Sequence, residues 1–137
     1  MKNRIEPFDL AQSPLTGKNL IEANAGTGKT YTIEGIYLRL LLEEKMGVEN
    51  ILVVTFTEAA TSELRGRIRD KIRKALRAFE TGKDSAHGED KLIEYLIQNS
   101  ADSQRSVKVL KSALAQFDEA RIFTIHGFCR RELLDQT

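Results

Sequence analysis

The stretch Ala23-Asn24-Ala25-Gly26-Thr27-Gly28-Lys29-Thr30 decides how this chain reads. It is a glycine-rich loop ending in Gly-Lys-Thr, with an apolar, strand-like run before it at Leu20 and Ile21 and a helical pattern after it. That order is what a phosphate-binding loop (P-loop) requires. Glycines let the backbone curl so that amide N–H groups point inward at phosphate oxygens. The lysine then reaches the outer phosphates, and the threonine hydroxyl can ligate the accompanying magnesium ion. A helix beginning near Thr30 adds the positive end of its dipole at the same spot. Ala23 stands where the pattern usually has its first glycine, and alanine is small enough to leave the loop possible. The plain alternative is a surface turn with a solvated lysine. The strand–loop–helix context favours a nucleotide site, with Lys29 as its candidate catalytic residue and Thr30 as the candidate Mg2+ ligand.

The bulk properties bound the rest. A chain of 137 residues is one domain or part of one, and 41% hydrophobic with 30% charged residues is an ordinary globular composition. No apolar run approaches the roughly 20 residues that span a bilayer. Met1 to Pro7 lacks the apolar core of a secretory signal. A single cysteine, Cys129, allows no internal disulfide framework, so a reducing cytoplasm fits best. His87, His126 and Cys129 have no metal-site spacing. The net charge of +1 makes no case for nucleic acid, but Arg65, Arg67, Arg69, Lys71, Arg73, Lys74 and Arg77 face only one acid, Asp70, in that segment.

Outward from the loop, residues 1–18 read as an extended lead-in with Pro7 and Pro14, and Asn19 to Ala23 as a short strand. Ile33, Ile36, Tyr37, Leu40 and Leu41 recur at helical spacing, and the helix should stop near Met46 with Gly47 beyond it. Ile51 to Thr55 is an unbroken apolar run, as in a parallel strand covered on both faces. A long helix after Thr57 carries Thr61, Leu64, Ile68, Ile72, Ala75, Leu76 and Phe79 on one stripe, its basic residues largely outside it. A polar loop over 81–88 leads to two shorter amphipathic helices, near Asp90–Gln98 and Ser103–Phe117, with capping oxygens between them. Ala120 to Ile125 reads as a third strand and His126 to Asp135 as a helix. The fold class is α/β: a P-loop NTPase (RecA-like) parallel-sheet core, incomplete, with a helical insertion. The expected division is 1–80 for the first part of the core, 81–118 for the insertion and 119–137 for the continued core.

Two further motifs sit where these strands end. Thr55-Phe56-Thr57 follows the second strand, and Thr124-Ile125-His126-Gly127-Phe128-Cys129 follows the third. Ligands of open α/β sheets bind beyond the carboxyl ends of strands, which should place these residues on one edge with the phosphate loop. Threonine hydroxyls and helix-start amides suit phosphate oxygens, and an aromatic ring can stack on a base. Taken singly, each motif favours a plainer reading: Phe56 as core, the threonines as helix caps, His126 as structural, Phe128 and Cys129 as packing.

Together the three motifs, in this order, resemble superfamily 1 helicases of the UvrD/Rep type. The run Val53-Val54-Thr55-Phe56-Thr57-Glu58-Ala59-Ala60-Thr61-Ser62-Glu63-Leu64-Arg65-Gly66-Arg67-Ile68, with Leu20-Ile21-Glu22-Ala23 and Phe123-Thr124-Ile125-His126-Gly127-Phe128-Cys129, narrows the resemblance to the RecB-like (exodeoxyribonuclease V beta-type) branch. The resemblance implies an ATP-driven motor on single-stranded DNA in double-strand-break repair and recombination, working with the other subunits of a RecBCD-type helicase–nuclease. It implies ATP and Mg2+ at residues 23–30, and a DNA track along Thr55, Phe56, Thr57, Thr124 and His126. The arginines of the basic helix are not assigned to DNA. Gln12 is a poor match to the family's adenine-reading glutamine. The family's Asp-Glu pair, at the end of an apolar strand, has no counterpart: Asp118-Glu119 precedes a strand instead. The chain is therefore expected to be an N-terminal fragment of the motor lobe that binds nucleotide without hydrolysis or unwinding and exposes enough apolar sheet to self-associate. The alternatives are a P-loop small-molecule kinase and a non-enzymatic ATP- or DNA-binding module.

Overall fold

Thr55 and Thr124 are partners at the carboxyl ends of two adjacent parallel strands. In a computed structural model describing residues 7–21, 28–82 and 90–135, β1 (Leu52–Thr55) pairs with β2 (Arg121–Thr124) in the register Leu52↔Arg121, Val53↔Ile122, Val54↔Phe123 and Thr55↔Thr124. Side chains alternate along a strand, so Val53, Thr55, Ile122 and Thr124 share one face. That face is half-buried on β1 and buried on β2. On the other face Leu52 and Val54 are 43% and 39% exposed. The unbroken apolar run therefore does not mark a strand covered on both sides. One side of this sheet carries a helical layer, while the other is covered only in part, where Arg131 and Glu132 of the chain's last helix reach Phe123 and Arg121.

That layer is α2 (Glu58–Thr81), which packs against both strands. Its start is set by Thr57, whose hydroxyl accepts from the Ala60 N–H, and it ends at Gly82, which takes the left-handed φ of 69° that stops helices. The predicted stripe is buried as expected, apart from half-buried Leu76. Lys71 is the exception among the basic residues: it is buried within the stripe. The shorter helices α3 (Lys91–Gln98) and α4 (Ser103–Ala115) are capped by Asp90 and Asp102. α4 lies along α2 and α1 rather than off to one side, and Leu92, Ile93, Leu96, Leu110 and Ala113 belong to the same core as Ile68, Ile72 and Ile122. The end of α4 passes through a 3-10 turn, Phe117–Glu119, into β2, after which α5 (Ile125–Asp135) follows at once.

The lead-in and first helix depart from the sequence pattern. Asn19 to Ile21 is irregular and Leu20 is 89% exposed, so the expected first strand is absent over these residues. Its last part, Glu22 and Ala23, lies outside the described residues, as do Asn24 to Thr27, the loop with His87 and the first six residues. A strand needs a hydrogen-bonded neighbour, and the sheet among the described residues holds β1 and β2 only. α1 (Gly28–Leu42) begins earlier than expected and stops sooner. Lys45, at φ 57°, takes the left-handed conformation expected of Gly47, which has φ −79°. The buried face of α1 is Glu34, Gly35, Tyr37, Leu38, Arg39 and Leu41, while Ile33 is 37% exposed. The helix is thus rolled away from the apolar stripe because the lead-in covers Gly35 and Arg39.

Candidate nucleotide and nucleic-acid sites

Two clusters emerge, one where α2 and α5 start and the other at the start of α1. At the strand ends, Thr57 caps α2 and Thr124 caps α5 by accepting from Gly127 N–H at 3.0 Å. Both threonines therefore do the plain structural job first. Thr55 is half-buried; its hydroxyl contacts the Thr61 hydroxyl and donates to the Thr57 carbonyl at 3.2 Å. These bonds lock the turn between β1 and α2. Phe56 sits on that turn and is not core: it is 86% exposed. His126 is exposed in the first turn of α5, which follows the neighbouring strand. Phe128 is half-buried, and Cys129 is exposed rather than packed.

Between the two helix starts lies a polar cleft of about 420 Å³ lined by Glu58, Thr61, Ser62, Arg65, Thr124 and Arg131, among others. Arg65 donates to the Ile122 carbonyl at 2.8 Å, fastening α2 to β2. Arg131 stacks over the Phe123 ring at 4.5 Å from its centroid, and Arg121 pairs with Glu132 at 3.3 Å. The sequence reading did not reach Arg131. Its signal was the Arg130-Arg131 pair one helical turn past His126, which has no meaning until α5 is folded back on β2.

The second cluster surrounds the start of α1. Gly28 and Lys29 are exposed and Thr30 is half-buried in the first turn, where the N–H groups have no intrahelical partner. Ala23, Asn24, Ala25, Gly26 and Thr27, the rest of the predicted nucleotide site, lie outside the described residues. Next in sequence, the Tyr31 hydroxyl donates to Asp90 at 3.3 Å, and the Lys71 ammonium lies 4.3 Å from the Tyr31 ring centroid while pairing with the same carboxylate. Ile93 N–H and Lys74 complete the shell of Asp90 at 3.2 and 3.8 Å. Burial alone would raise the Asp90 carboxyl. The hydrogen bond and charge of Lys71, the Ile93 N–H and Lys74 outweigh it and hold the group below the usual aspartate value. The Tyr31 phenol is pushed up to about 12, first by burial and then by Asp90. Glu34, one turn along α1, is raised by burial against the opposing charges of Lys71 and Arg67.

Lys71 lies about 20 Å along α2 from its start, at roughly 1.5 Å per residue. The start of α1 is thus grouped with the middle of α2 and the start of α3, while residues 22–27 of the phosphate loop, which the shared-edge expectation concerned, lie outside the described residues. Among the described residues no strand precedes α1 to tie it to the sheet.

The chain matches the UvrD/REP helicase N-terminal domain over residues 7–137, and it belongs to that family. Within it, the chain is similar to the RecBCD enzyme subunit RecB. It is 46% identical over 143 residues to that protein of Escherichia coli K12, an alignment covering 97% of this chain and 12% of the relative. The Haemophilus influenzae RecB is 46% identical over 139 residues, covering 93% of this chain and 11% of the relative. The match to RecB of Buchnera aphidicola from Schizaphis graminum is 37% over 145 residues, covering all of this chain and 12% of the relative. The chain therefore spans only about an eighth of the length of these relatives. No helix among the described residues is long and apolar enough to cross a membrane.

Proposed function

We propose that this chain forms the ATP-binding part of a P-loop, RecA-like motor lobe of an ATP-dependent DNA helicase of the RecB kind. In this reading the parent protein acts on single-stranded DNA in double-strand-break repair, alongside the other subunits of a helicase–nuclease complex. The observation that carries the reading is the exposure of Phe56 at the carboxyl end of β1, where α2 starts, with β2 running alongside into α5. A large aromatic held in water by a locked turn has no role in packing, and a base is a natural partner for it. The unpaired N–H groups at the starts of α2 and α5 suit the phosphates on either side.

The residues at the start of α1 fit Mg·ATP: an exposed lysine for the outer phosphates, a threonine hydroxyl for the ion and free first-turn N–H groups. Bound there, Mg·ATP would supply the phosphoanhydride whose cleavage drives movement. Lys29 would hold the β and γ phosphates and Thr30 the ion. What the described residues lack at either cluster is an adjacent Asp-Glu pair at a strand's carboxyl end to activate water. Asp118 and Glu119 lie in the turn before β2, at the amino end of the sheet. The chain therefore binds nucleotide without turning it over appreciably. The experiment is an ATPase assay with and without oligothymidylate, run beside binding titrations of both ligands. Binding without turnover is expected. Turnover that rises with oligothymidylate and vanishes in Lys29→Ala would overturn the claim that the hydrolytic groups lie elsewhere, and absence of both ligands' binding would overturn the site itself.

A further inference from the structure

The amino end of the sheet, opposite Phe56, carries a groove of its own, at the far end of α1 from Lys29. It lies between one face of α4 and the chain leaving α1, and holds about 290 Å³. Val48, on one wall, belongs to the 3-10 turn before β1; Gln116, on the other, directly precedes the turn before β2. The floor is aliphatic: Leu41, Val48 and Ala113 are buried, Val109 is half-buried and Met46 is 38% exposed. Lys45, Arg105 and Lys108 line the groove as well, and no carboxylate does. None of these three cations forms an ion pair among the described residues, whereas Arg39, Arg67, Arg73 and Arg121 each hold a carboxylate. The acids close by are engaged elsewhere: Glu49 is folded back against Gly47, and Asp102 caps α4 by accepting from the Arg105 N–H. Lys45 also sits at φ 57°, a conformation that glycine adopts at less cost. A cation suits a helix end, but α1 already has Arg39 in its last turn.

We propose that this groove docks an acidic amphipathic helix of another protein, its apolar side chains on the aliphatic floor and its carboxylates on Lys45, Arg105 and Lys108. The surface is separate from the nucleotide and DNA sites and stands whether or not they do. Charge complementarity selects an acidic partner, because three unpaired cations ring an apolar floor. The α4 wall presents Arg105, Lys108, Val109, Ser112 and Gln116, steps of three and four residues along one helix face. At roughly 1.5 Å per residue that stripe is about 16 Å long, three turns of a facing helix. The backbone of α4 is bonded within its own helix, so this wall offers no row of N–H and C=O groups to an extended strand. A nucleic acid would share the cations, but the groove lining has no aromatic ring on which a base could stack. Met46, exposed at the lip, is instead the adaptable side chain that suits aliphatic partners.

The test is fluorescence anisotropy of the 137-residue chain with a labelled peptide of about 12 residues, the length of the stripe, carrying leucines at i, i+4 and i+7 and glutamates beside them. The same peptide with lysine in place of every glutamate, and a labelled oligothymidylate, are run beside it. The acidic peptide should bind saturably, at least about tenfold more tightly than the basic one, and more weakly as salt rises. Arg105→Ala combined with Lys108→Ala, and separately Met46→Glu, should each weaken it about tenfold. Arg73→Ala combined with Arg77→Ala removes the same charge from exposed positions of α2 and should stay within about twofold of the wild type. Lys45→Gly gives an independent readout: it should melt no lower than the wild type, because glycine accepts the positive φ, and yet bind the peptide more weakly. Circular dichroism confirms that each variant is folded. No saturable binding of the acidic peptide, equal binding of the basic one, or an equal loss in the α2 double variant overturns the proposal. So does loss of oligothymidylate binding in the Arg105, Lys108 double variant with the peptide unaffected, since the groove would then be a nucleic-acid surface.

Discussion

Phe56→Ala separates the functional from the structural account of the strand ends most cleanly. At 86% exposure the ring has little contact left to lose, so removing it should cost on the order of 0.3 kcal/mol of stability, against the roughly 3–5 kcal/mol of a buried phenylalanine. Its turn is held by Thr55, Thr57 and Thr61, whose bonds do not involve the ring. If Phe56 stacks on a base, the same change should weaken single-stranded DNA by about 1–3 kcal/mol, or roughly 5- to 150-fold. The assay is fluorescence anisotropy with a labelled oligothymidylate across several salt concentrations, paired with urea unfolding of both proteins. The salt slope should be unchanged, because no charge is removed. A stability loss of several kcal/mol with unaltered binding would refute the reasoning, since the ring would then be packing rather than reading bases.

Other consequences concern the buried polar groups. Asp90→Asn keeps a good helix cap but leaves the Lys71 ammonium buried without its carboxylate, so a loss of about 3–5 kcal/mol is expected in chemical denaturation at neutral pH. Because the folded state lowers the Asp90 pKa, its contribution is present above the ordinary aspartate value and disappears as pH falls through the lowered one. Acid unfolding of the wild type should show that extra limb and Asp90→Asn should lack it; identical acid limbs would contradict the assignment. Tyr37 is 2% exposed with no partner for its hydroxyl among the described residues, and burial pushes its phenol to about 12. Tyr37→Phe should raise stability by roughly 1 kcal/mol in the same assay, whereas a clear loss would mean that the hydroxyl is bonded.

Local signals were read well and non-local ones poorly, for physical reasons. α2 was legible because its cap at Thr57 and its 3.6-residue stripe are properties of adjacent residues. The ends of β1 and β2 were legible for the same reason, though not their register, which joins Thr55 to Thr124 across the whole helical stretch between them. The roll of α1 was hidden because it depends on what covers Gly35 and Arg39, and the covering turn lies far back in the sequence. Lys71 looked like one more solvated base until folding brought Asp90 beneath it. Phe56 misled in the other direction: its residue type says core, and only its place on a locked turn puts it in water. The two-faced burial of β1 was over-read, since an apolar run reports what a strand is suited to meet and not what stands beside it.

The central claim is that Lys29 and the loop before it grip a nucleotide. Isothermal titration of Mg·ATP into the wild type and Lys29→Ala tests it most directly. The exposed Lys29 contributes nothing to the core, so both proteins should unfold at the same temperature. The wild type should show a single saturable site, and the variant should bind at least tenfold more weakly, as expected when a charge-assisted phosphate contact is lost. Equal binding by the two proteins, or none by a folded wild type, would contradict the account.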